Sequence, residues 1–385
     1  MHIRYLFLLA VLLCNVCSLS AQRHEQLLET DWKFHKGEAS GAASPAFNDA
    51  QWESVRIPHD WAIYGPFDRN NDLQNVAITQ NLEKQASVKT GRTGGLPYVG
   101  VGWYRTRFDA DPNKKTTLIF DGAMSEAHVY VNGQEACFWP FGYNSFHCDV
   151  TEFLHKDGKD NVLAVRLENR PQSSRWYPGA GLYRNVHLVT TEKVHVPVWG
   201  TQITTPHVAT DYASVCLRTT LKNVEKEKIT VETDILSPDG QKVASKKNEG
   251  HINHGQPFTQ NFIVENPQLW SPETPVLYQA VSKIYVDGQL TDTYTTRFGI
   301  RSIEFMADKG FFLNGKHRKF QGVCNHHDLG PLGAAINVSA LRHQLTLLKD
   351  MGCDAIRTAH NMPAPELVSL CDEMGFMMMI EPFDE

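Results

Sequence analysis

Polar side chains follow each of three predicted strands in the last quarter of the chain, where they could bind and orient a polar ligand. Histidine and asparagine donate and accept hydrogen bonds, arginine offers a planar fork of donors, and carboxylates accept hydrogen bonds. Because functional groups of parallel β/α proteins project from the carboxyl ends of strands, we expect these side chains to lie at one edge of the sheet. They are His326 and His327 after the first strand, Arg357, His360 and Asn361 after the second, and Glu381, Asp384 and Glu385 after the third.

Each of these side chains also has an ordinary structural interpretation. A neighbouring loop can satisfy a histidine such as His326, and Arg357 and His360 can belong to a purely structural ion pair. Asn361 can cap the helix that follows it. The acidic residues at 381–385 can form a solvated loop or pair with Arg357, so they are not assigned as catalytic acid and nucleophile.

The elements that would position these residues alternate between strands and helices. The predicted strands lie at 319–324, 353–357 and 376–380, and the helices between them end at Gly352 and Gly375. Leu341, Leu345 and Leu348 share one face of the first helix, because their spacing matches the helical period. A β-α-β-α-β order predicts a parallel sheet with right-handed crossovers, which is the start of a (β/α)₈ barrel over 304–385. A whole barrel takes about 250 residues, so this region supplies about three of its eight units.

Two β domains are predicted before the barrel. Short alternating runs, such as 128–131 leading into the turn pair Asn132-Gly133, are typical of a β-sandwich or jelly roll over 22–192. Five further candidate strands predict an immunoglobulin-like sandwich over 193–303. The three prolines of 267–275 exclude a central strand there and indicate an edge crossing or a rigid connector.

The N-terminus and the overall composition limit the class of protein. His2 and Arg4 precede a short apolar run and a small-residue segment, so 1–21 is predicted to be a secretory signal peptide. The run is too short to cross a bilayer, which takes about 20 residues. We therefore expect a periplasmic or secreted protein without a membrane span. The net charge of −6 and the lack of a basic cluster disfavour nucleic-acid binding.

Cysteine usage indicates neither zinc nor redox chemistry. Two cysteines would leave with the signal peptide, and the six that remain are scattered without a C-x-x-C pair. Cys137 and Cys148 are the only pair close enough in sequence to suggest a local disulfide. Buried free thiols are the favoured prediction.

Nine segments, in the order jelly roll, immunoglobulin-like domain and barrel, resemble motifs of glycoside hydrolase family 2. This family contains bacterial β-galactosidases, β-glucuronidases and β-mannosidases. The segments are PHDW at 58–61, GWYR at 102–105, VYVNG at 129–133, WYPGAGLYRNV at 176–186, LWSP at 269–272, PVLY at 275–278, FGIR at 298–301, FLNGK at 312–316 and IRTAHN at 356–361. Each motif is weak alone, but their joint order makes coincidence improbable.

The resemblance implies a retaining β-glycosidase, with a β-galactosidase favoured and a β-glucuronidase or β-mannosidase as alternatives. Such an enzyme uses two carboxyl groups about 5 to 5.5 Å apart. The family places its two catalytic glutamates after the fourth and seventh barrel strands, and neither position occurs in this chain. We therefore assign no catalytic residue here and expect the 385-residue chain to be inactive alone. A non-catalytic protein that binds carbohydrate through its jelly roll is the alternative from another functional class.

The resemblance also suggests roles toward an oligosaccharide or glycan. His326 would hydrogen-bond sugar hydroxyls, Arg357 would orient the nucleophile carboxylate, and His360 would reach the sugar, with Asn361 sharing the site. In some family members an acidic residue near Glu385 binds a divalent cation. The other ligands of that cation are not in this sequence, so no metal ligand is assigned and the binding of a divalent cation is left open. Whether the protein forms a homo-oligomer is also left open.

One position departs from the family pattern. In the best-known members an aspartate of the first domain reaches the sugar site, whereas this chain has Arg175 in the corresponding loop. Arginine cannot accept a hydrogen bond, so the first-domain contact must differ. Trp176 and Tyr177 could stack on a sugar face or pack within the loop.

Overall fold

The protein is described by a computed structural model that covers residues 23–68, 98–171, 176–251 and 255–383, with the backbone alone for 73–74 and 90–91. The predicted signal peptide at 1–21 lies outside the described residues. The chain divides into two compact units. One contains Thr190–Ser271 and Val276–Arg318, and the other contains Glu25–Val189, Pro272–Pro275 and Lys319–Glu385.

The first domain is a β-sandwich, as predicted, and an aromatic core lies between its two larger sheets. Its strands are β1 (His24–Leu27), β2 (Trp32–Lys36), β3 (Glu53–Val55), β4 (Leu73–Gln74), β5 (Thr90–Gly91), β6 (Gly100–Phe108), β7 (Lys115–Phe120), β8 (Ala127–Val131), β9 (Gln134–Trp139), β10 (Phe146–Asp149), β11 (Asn161–Asn169) and β12 (Val186–Thr191). The sheets have the orders β1-β12-β7-β10 and β3-β2-β6-β11-β8-β9, and β4 pairs with β5. Trp32 and Phe34 of one sheet share a buried core with Phe120 and Phe146 of the other.

A disulfide joins Cys137 of β9 to Cys148 of β10, with 6.1 Å between their Cα atoms. The prediction of free thiols was therefore wrong for this pair. The two strands lie at the ends of opposite sheets, and their sequence separation of 11 residues lets the chain return close enough for the bond. Free thiols within the described residues are Cys216, Cys324, Cys353 and Cys371.

The second β-sandwich contains each of the five strands that the sequence predicts. Its strands are β13 (Thr201–Val208), β14 (Tyr212–Thr219), β15 (Ile229–Leu236), β16 (Lys242–Gly250), β17 (Phe258–Glu265), β18 (Tyr278–Val286) and β19 (Gln289–Phe298). They form sheets of order β13-β14-β17 and β16-β15-β18-β19. Strict alternation, as in β15 and β17, buries every second side chain. The proline-rich stretch at 267–275 contains no strand, and a small antiparallel sheet of β20 (Ile303–Met306), β21 (Gly310–Leu313) and β22 (Lys316–His317) follows.

The last part of the chain forms a three-stranded parallel sheet with two helices, which is the start of a TIM barrel. The strands are β23 (Gly322–Asn325), β24 (Ala355–Thr358) and β25 (Met377–Ile380), and the helices are α1 (Val338–Asp350) and α2 (Pro365–Met374). The Asn337 side chain caps α1 by accepting from the Ala340 N–H at 2.9 Å. Gly375, at φ 75°, ends α2 in the left-handed conformation that glycine adopts without strain. In the part of the chain that the structure describes, no helix is long and apolar enough to span a membrane.

Candidate functional site

Three of the predicted side chains form one ion-paired cluster at the carboxyl ends of β24 and β25. Arg357 donates from Nε to Oε1 of Glu381 at 2.7 Å, and its Nη2 forms an ion pair with the same oxygen at 2.5 Å. His360 Nδ1 lies 3.0 Å from the other oxygen, Oε2. The carboxylate is therefore held on both sides, which matches the alternative that the acidic loop pairs with Arg357.

The hydrogen bonds of the cluster also define which of its atoms donate and which accept. Partial desolvation acts to raise the pKa of Glu381, but the hydrogen bonds from Arg357 and His360 outweigh it and lower that pKa, so the group is a carboxylate. Since a carboxylate only accepts, Nδ1 of His360 carries the proton that it donates. That nitrogen also lies 3.1 Å from Arg357 Nη2, but it cannot accept from the guanidinium while it donates to Glu381.

His326 and Trp176 lie beside this cluster. The Trp176 ring centroid is 5.6 Å from that of His326 and 5.4 Å from that of His360, and the two histidine rings meet edge to face at 5.4 Å. Partial burial and the neighbouring His360 lower the pKa of His326. The His326 side chain remains exposed, so a neutral imidazole can both donate to and accept from a ligand hydroxyl.

His327 contacts the jelly-roll loop. It therefore has the structural role that was the alternative for a histidine here, in which a neighbouring loop satisfies the ring. Its Nε2 donates to the Pro178 carbonyl oxygen at 3.0 Å. Burial, with a further contribution from Arg184, lowers the pKa of His327 to about 3. The ring is thus neutral, and Nδ1 is a buried acceptor without a hydrogen-bond partner among the described residues.

Asn361 does not cap a helix. Helix α2 begins at Pro365 and its N-cap residue is Ala364, so Asn361 lies too early in the chain to satisfy the first turn. Its side chain is 2% exposed, and Nδ2 has no hydrogen-bond partner among the residues the structure covers. Asn361 lines the same small cavity as His326 and His327. The structure therefore places Asn361 close to the two histidines that follow β23.

The jelly-roll motif at 176–186 holds the barrel loops in place. Trp176 donates from Nε1 to the Tyr143 hydroxyl at 3.0 Å. Arg184, 1% exposed, donates to the Met362 carbonyl oxygen at 2.8 Å in the loop that follows β24. Asn185 donates from Nδ2 to Glu366 Oε1 at the start of α2. This motif therefore contacts the loops that carry His327, His360 and the α2 N-terminus.

Sequence reasoning missed Tyr143 and Arg184. A signal existed for Arg184, which stands within an otherwise apolar run, because a buried arginine must find acceptors. No comparable signal marks Tyr143. Its role depends on a contact with Trp176 that crosses 33 positions of sequence.

Several predicted groups fall outside the described residues. They are Arg175, Asp384 and Glu385, so the departure at Arg175 and the cation near Glu385 have no structural test. Among the residues that are described, no group of three or more His, Cys, Asp or Glu side chains comes together as a metal site.

The arrangement can bind a neutral polyhydroxylated ligand. The exposed imidazole of His326 offers a donor and an acceptor, the Trp176 ring offers an apolar surface, and the Arg357–Glu381 pair supplies fixed charges. Aromatic surface combined with a few directed polar groups is typical of small-molecule sites. Hydrolysis of a glycosidic bond with retention requires in addition two carboxyl groups about 5 to 5.5 Å apart, on either side of the anomeric carbon.

Family models match nearly the whole described chain. Residues 26–192 match the sugar binding domain of glycosyl hydrolases family 2, residues 194–301 match the family 2 model that follows it, and residues 305–383 match the family's TIM barrel domain. The three matches occur in the order in which the folded elements occur along the chain.

Individual relatives agree with these matches. The β-galactosidase BoGH2A of Bacteroides ovatus is 43% identical over 379 residues, which are 96% of this chain and 42% of that enzyme. A glycosyl hydrolase family 2 member from Bacteroides cellulosilyticus superposes with a TM-score of 0.85 at 33% identity, over 94% of this chain and 46% of the other. The Bacteroides uniformis β-glucuronidase 2, solved covalently bound to cyclophellitol-6-carboxylate aziridine, gives a TM-score of 0.77 at 30% identity, over 93% and 42%. This chain thus spans less than half the length of each of these three relatives.

Proposed function

We propose that this chain, which belongs to glycoside hydrolase family 2, is the N-terminal part of an exported retaining β-glycosidase and supplies one wall of its saccharide site. The observation that carries the proposal is the cluster of Arg357, His360 and Glu381 at the strand ends, beside His326 and Trp176. These groups can bind sugar hydroxyls and one sugar face without themselves performing the hydrolysis.

The division of labour follows from the chemistry of the reaction. Retaining hydrolysis needs a carboxylic acid that protonates the leaving oxygen and a carboxylate that attacks the anomeric carbon. Glu381 is committed to Arg357 and His360, so it serves neither role. We assign it to orienting the imidazole of His360 toward the sugar. Arg357 keeps positive charge at the strand ends, where it stabilises a neighbouring carboxylate nucleophile.

We propose a β-galactosidase as the activity of the whole enzyme, because the Bacteroides ovatus relative at 43% identity carries that name. A β-glucuronidase is the alternative, supported by the Bacteroides uniformis structure. The covalent adduct in that relative supports a nucleophile that bonds to the sugar, which is the retaining mechanism. Export of this chain through removal of 1–21 is a separate proposal, and N-terminal sequencing of protein from its native cell tests it.

A chimera tests the activity directly. Residues 23–383 of this chain would replace the aligned segment of the Bacteroides ovatus β-galactosidase, whose remaining sequence supplies the rest of the barrel. The purified chimera is assayed on nitrophenyl β-galactoside, β-glucuronide and β-mannoside. We expect hydrolysis of the β-galactoside with kcat/KM above that for the other two sugars.

The Bacteroides ovatus enzyme, assayed in parallel, shows the sugar preference that its own barrel sequence confers on the chimera. Trp176→Ala in the chimera separates the contribution of this chain, because it removes an aromatic wall without touching a carboxylate. A folded chimera that hydrolyses no sugar of the panel, while the parent is active, contradicts the proposed function.

A further inference from the structure

The carboxylate of Asp60 lies outside the cluster, is 2% exposed and accepts four hydrogen bonds. Oδ1 accepts from the N–H groups of Ala62 and Ala180, each at 3.0 Å. Oδ2 accepts from the Tyr177 hydroxyl at 2.6 Å and from the Ala334 N–H at 2.8 Å. A single side chain therefore joins three segments that are far apart in sequence.

Two of these segments carry site residues. Tyr177 and Ala180 belong to the jelly-roll loop that contains Trp176, and Ala334 belongs to the barrel loop that runs from His326 to α1. Between these anchors, the ring of His327 donates to the carbonyl oxygen of Pro178 in the middle of the jelly-roll loop. The two loops are thus bonded to each other and to one buried carboxylate.

The backbone around Asp60 is shaped to admit this carboxylate. Gly179 and Gly333 have positive φ values of 72° and 64°. A Cβ at Gly333 would lie 2.4 Å from Asp60 Oδ2, and one at Gly179 would lie 3.2 Å from the same oxygen. Any larger residue at 333 would therefore push the barrel loop away from Asp60.

The surroundings of Asp60 suit a side chain that only accepts hydrogen bonds. Burial raises the pKa of Asp60, whereas its four hydrogen bonds oppose that rise. All four partners are donors, so a carboxylate satisfies them and an amide in its place would turn one NH₂ group toward a donor. A buried donor left without an acceptor is costly, and the loops would have to separate to reach water.

We propose that Asp60 is a positioning residue that locks the jelly-roll loop to the barrel loop and thereby sets where Trp176 stands against His326 and His360. The role deepens the proposed glycosidase function, because the aromatic wall of the saccharide site then depends on a carboxylate that never touches the sugar. Asp60 acts through Tyr177, Ala180 and Ala334.

The first test needs no activity and uses the 385-residue chain. Its eight tryptophans are labelled with 5-fluorotryptophan, and Trp176→Phe identifies the Trp176 resonance in the ¹⁹F spectrum. We expect Asp60→Asn to shift or broaden that resonance, since the ring leaves the two histidines. Asp292→Asn is the matched control, because Asp292 is also a buried carboxylate, with partners Arg23 and Val196 in the other compact unit.

Two milder variants keep the test decisive if Asp60→Asn does not fold. Tyr177→Phe deletes one hydrogen bond to Asp60, and Gly333→Ala displaces the Ala334 N–H while leaving the carboxylate intact. Each should move the Trp176 resonance, whereas Asp292→Asn should not. An unchanged Trp176 resonance in folded Asp60→Asn, or in folded Tyr177→Phe, overturns the proposal.

Kinetics of the chimera add a second readout. We expect Asp60→Asn to raise KM and to lower kcat/KM roughly tenfold or more, as misplaced binding groups do, while Asp292→Asn leaves both unchanged. A chimera that is inactive before any substitution would refute the proposed function alone. The fluorine spectrum would still decide the role of Asp60.

Discussion

The jelly roll and the barrel segment belong to one compact unit, yet they differ in how far the faces of their sheets are buried. In the jelly roll, β11 buries Leu163 and Val165 completely against the facing sheet. In the barrel segment, helices α1 and α2 cover one face of the sheet, where Ile356 is buried. On the other face Met379 is 63% exposed, and Cys324 and Arg357 lie in the same row of the sheet.

The difference separates the region that supports the candidate site from the region that carries its polar side chains. A sandwich closes its own core, so its loops can serve as a rigid support. A parallel sheet needs cover on both faces, and barrel strands obtain the second cover from the strands opposite. Arg357 and His360, the candidate site residues of β24 and its loop, lie on or beside that open face. Arg184 of the jelly roll holds the loop after β24 by donating to the Met362 carbonyl oxygen.

The largest effect we predict is complete loss of hydrolysis in the 385-residue chain relative to the chimera. Glu381 is held by Arg357 and His360, and the two catalytic glutamates are expected after the fourth and seventh barrel strands, so the purified chain should not hydrolyse an aryl β-galactoside. Steady-state assays of both proteins under the same conditions measure the difference. Turnover that copurifies with the 385-residue chain and disappears in Glu381→Gln would contradict this prediction.

The comparison also predicts unequal resistance to proteolysis. The open sheet face should let the barrel segment unfold locally at lower free energy than the sandwiches, so residues from about 310 onward should be cut first. Residues 25–303 should remain as a resistant fragment in limited proteolysis followed by mass spectrometry. The chimera is the control, because a completed barrel should slow the same cuts. Equal cutting rates in both regions would contradict the prediction that the barrel segment unfolds locally more easily than the sandwiches.

A smaller effect concerns how the jelly roll holds its edge strand. His187 of β12 lies between Asp121 Oδ2 at 2.8 Å and Glu25 Oε1 of β1 at 2.9 Å. Burial acts to lower the pKa of His187, but these two carboxylates prevail and raise it to about 10 from the ordinary 6.5. The imidazolium therefore stabilises the fold fully below about pH 6.5, and this contribution is lost as the pH rises toward about 10.

The test compares the chain with His187→Gln by urea unfolding between pH 6 and pH 10. The difference in free energy of unfolding should be largest at the acid end and shrink toward pH 10. A difference that stays constant over this range would show that His187 is not charged in the folded protein.

Local signals explain which parts of the fold could be predicted from the sequence. The Asn132-Gly133 turn, the helix ends at Gly352 and Gly375 and the strand that becomes β15 depend on residues close in sequence, and the structure confirms them. The Cys137–Cys148 disulfide was predicted wrongly, because nothing in the sequence shows that the ends of opposite sheets meet there.

The candidate site could be predicted in its residues but not in its geometry. Strand-end positions identified Arg357, His360 and His326, since parallel strands bring those positions together. The support provided by Arg184 and Asp60 links positions more than 170 residues apart, and no short-range pattern encodes such a pairing.

The most direct test of the central claim, that the strand-end cluster is part of the saccharide site, is the kcat/KM of the chimera after replacing Arg357 or His360 by Ala. We predict a fall of roughly tenfold or more for each, because positioned donors near a reacting group commonly contribute a few kcal/mol to catalysis. Arg342→Ala and His343→Ala, on the exposed face of α1, are matched controls and should leave kcat/KM unchanged. Unchanged kcat/KM in folded Arg357→Ala and His360→Ala would contradict the claim and reduce the cluster to a structural ion pair.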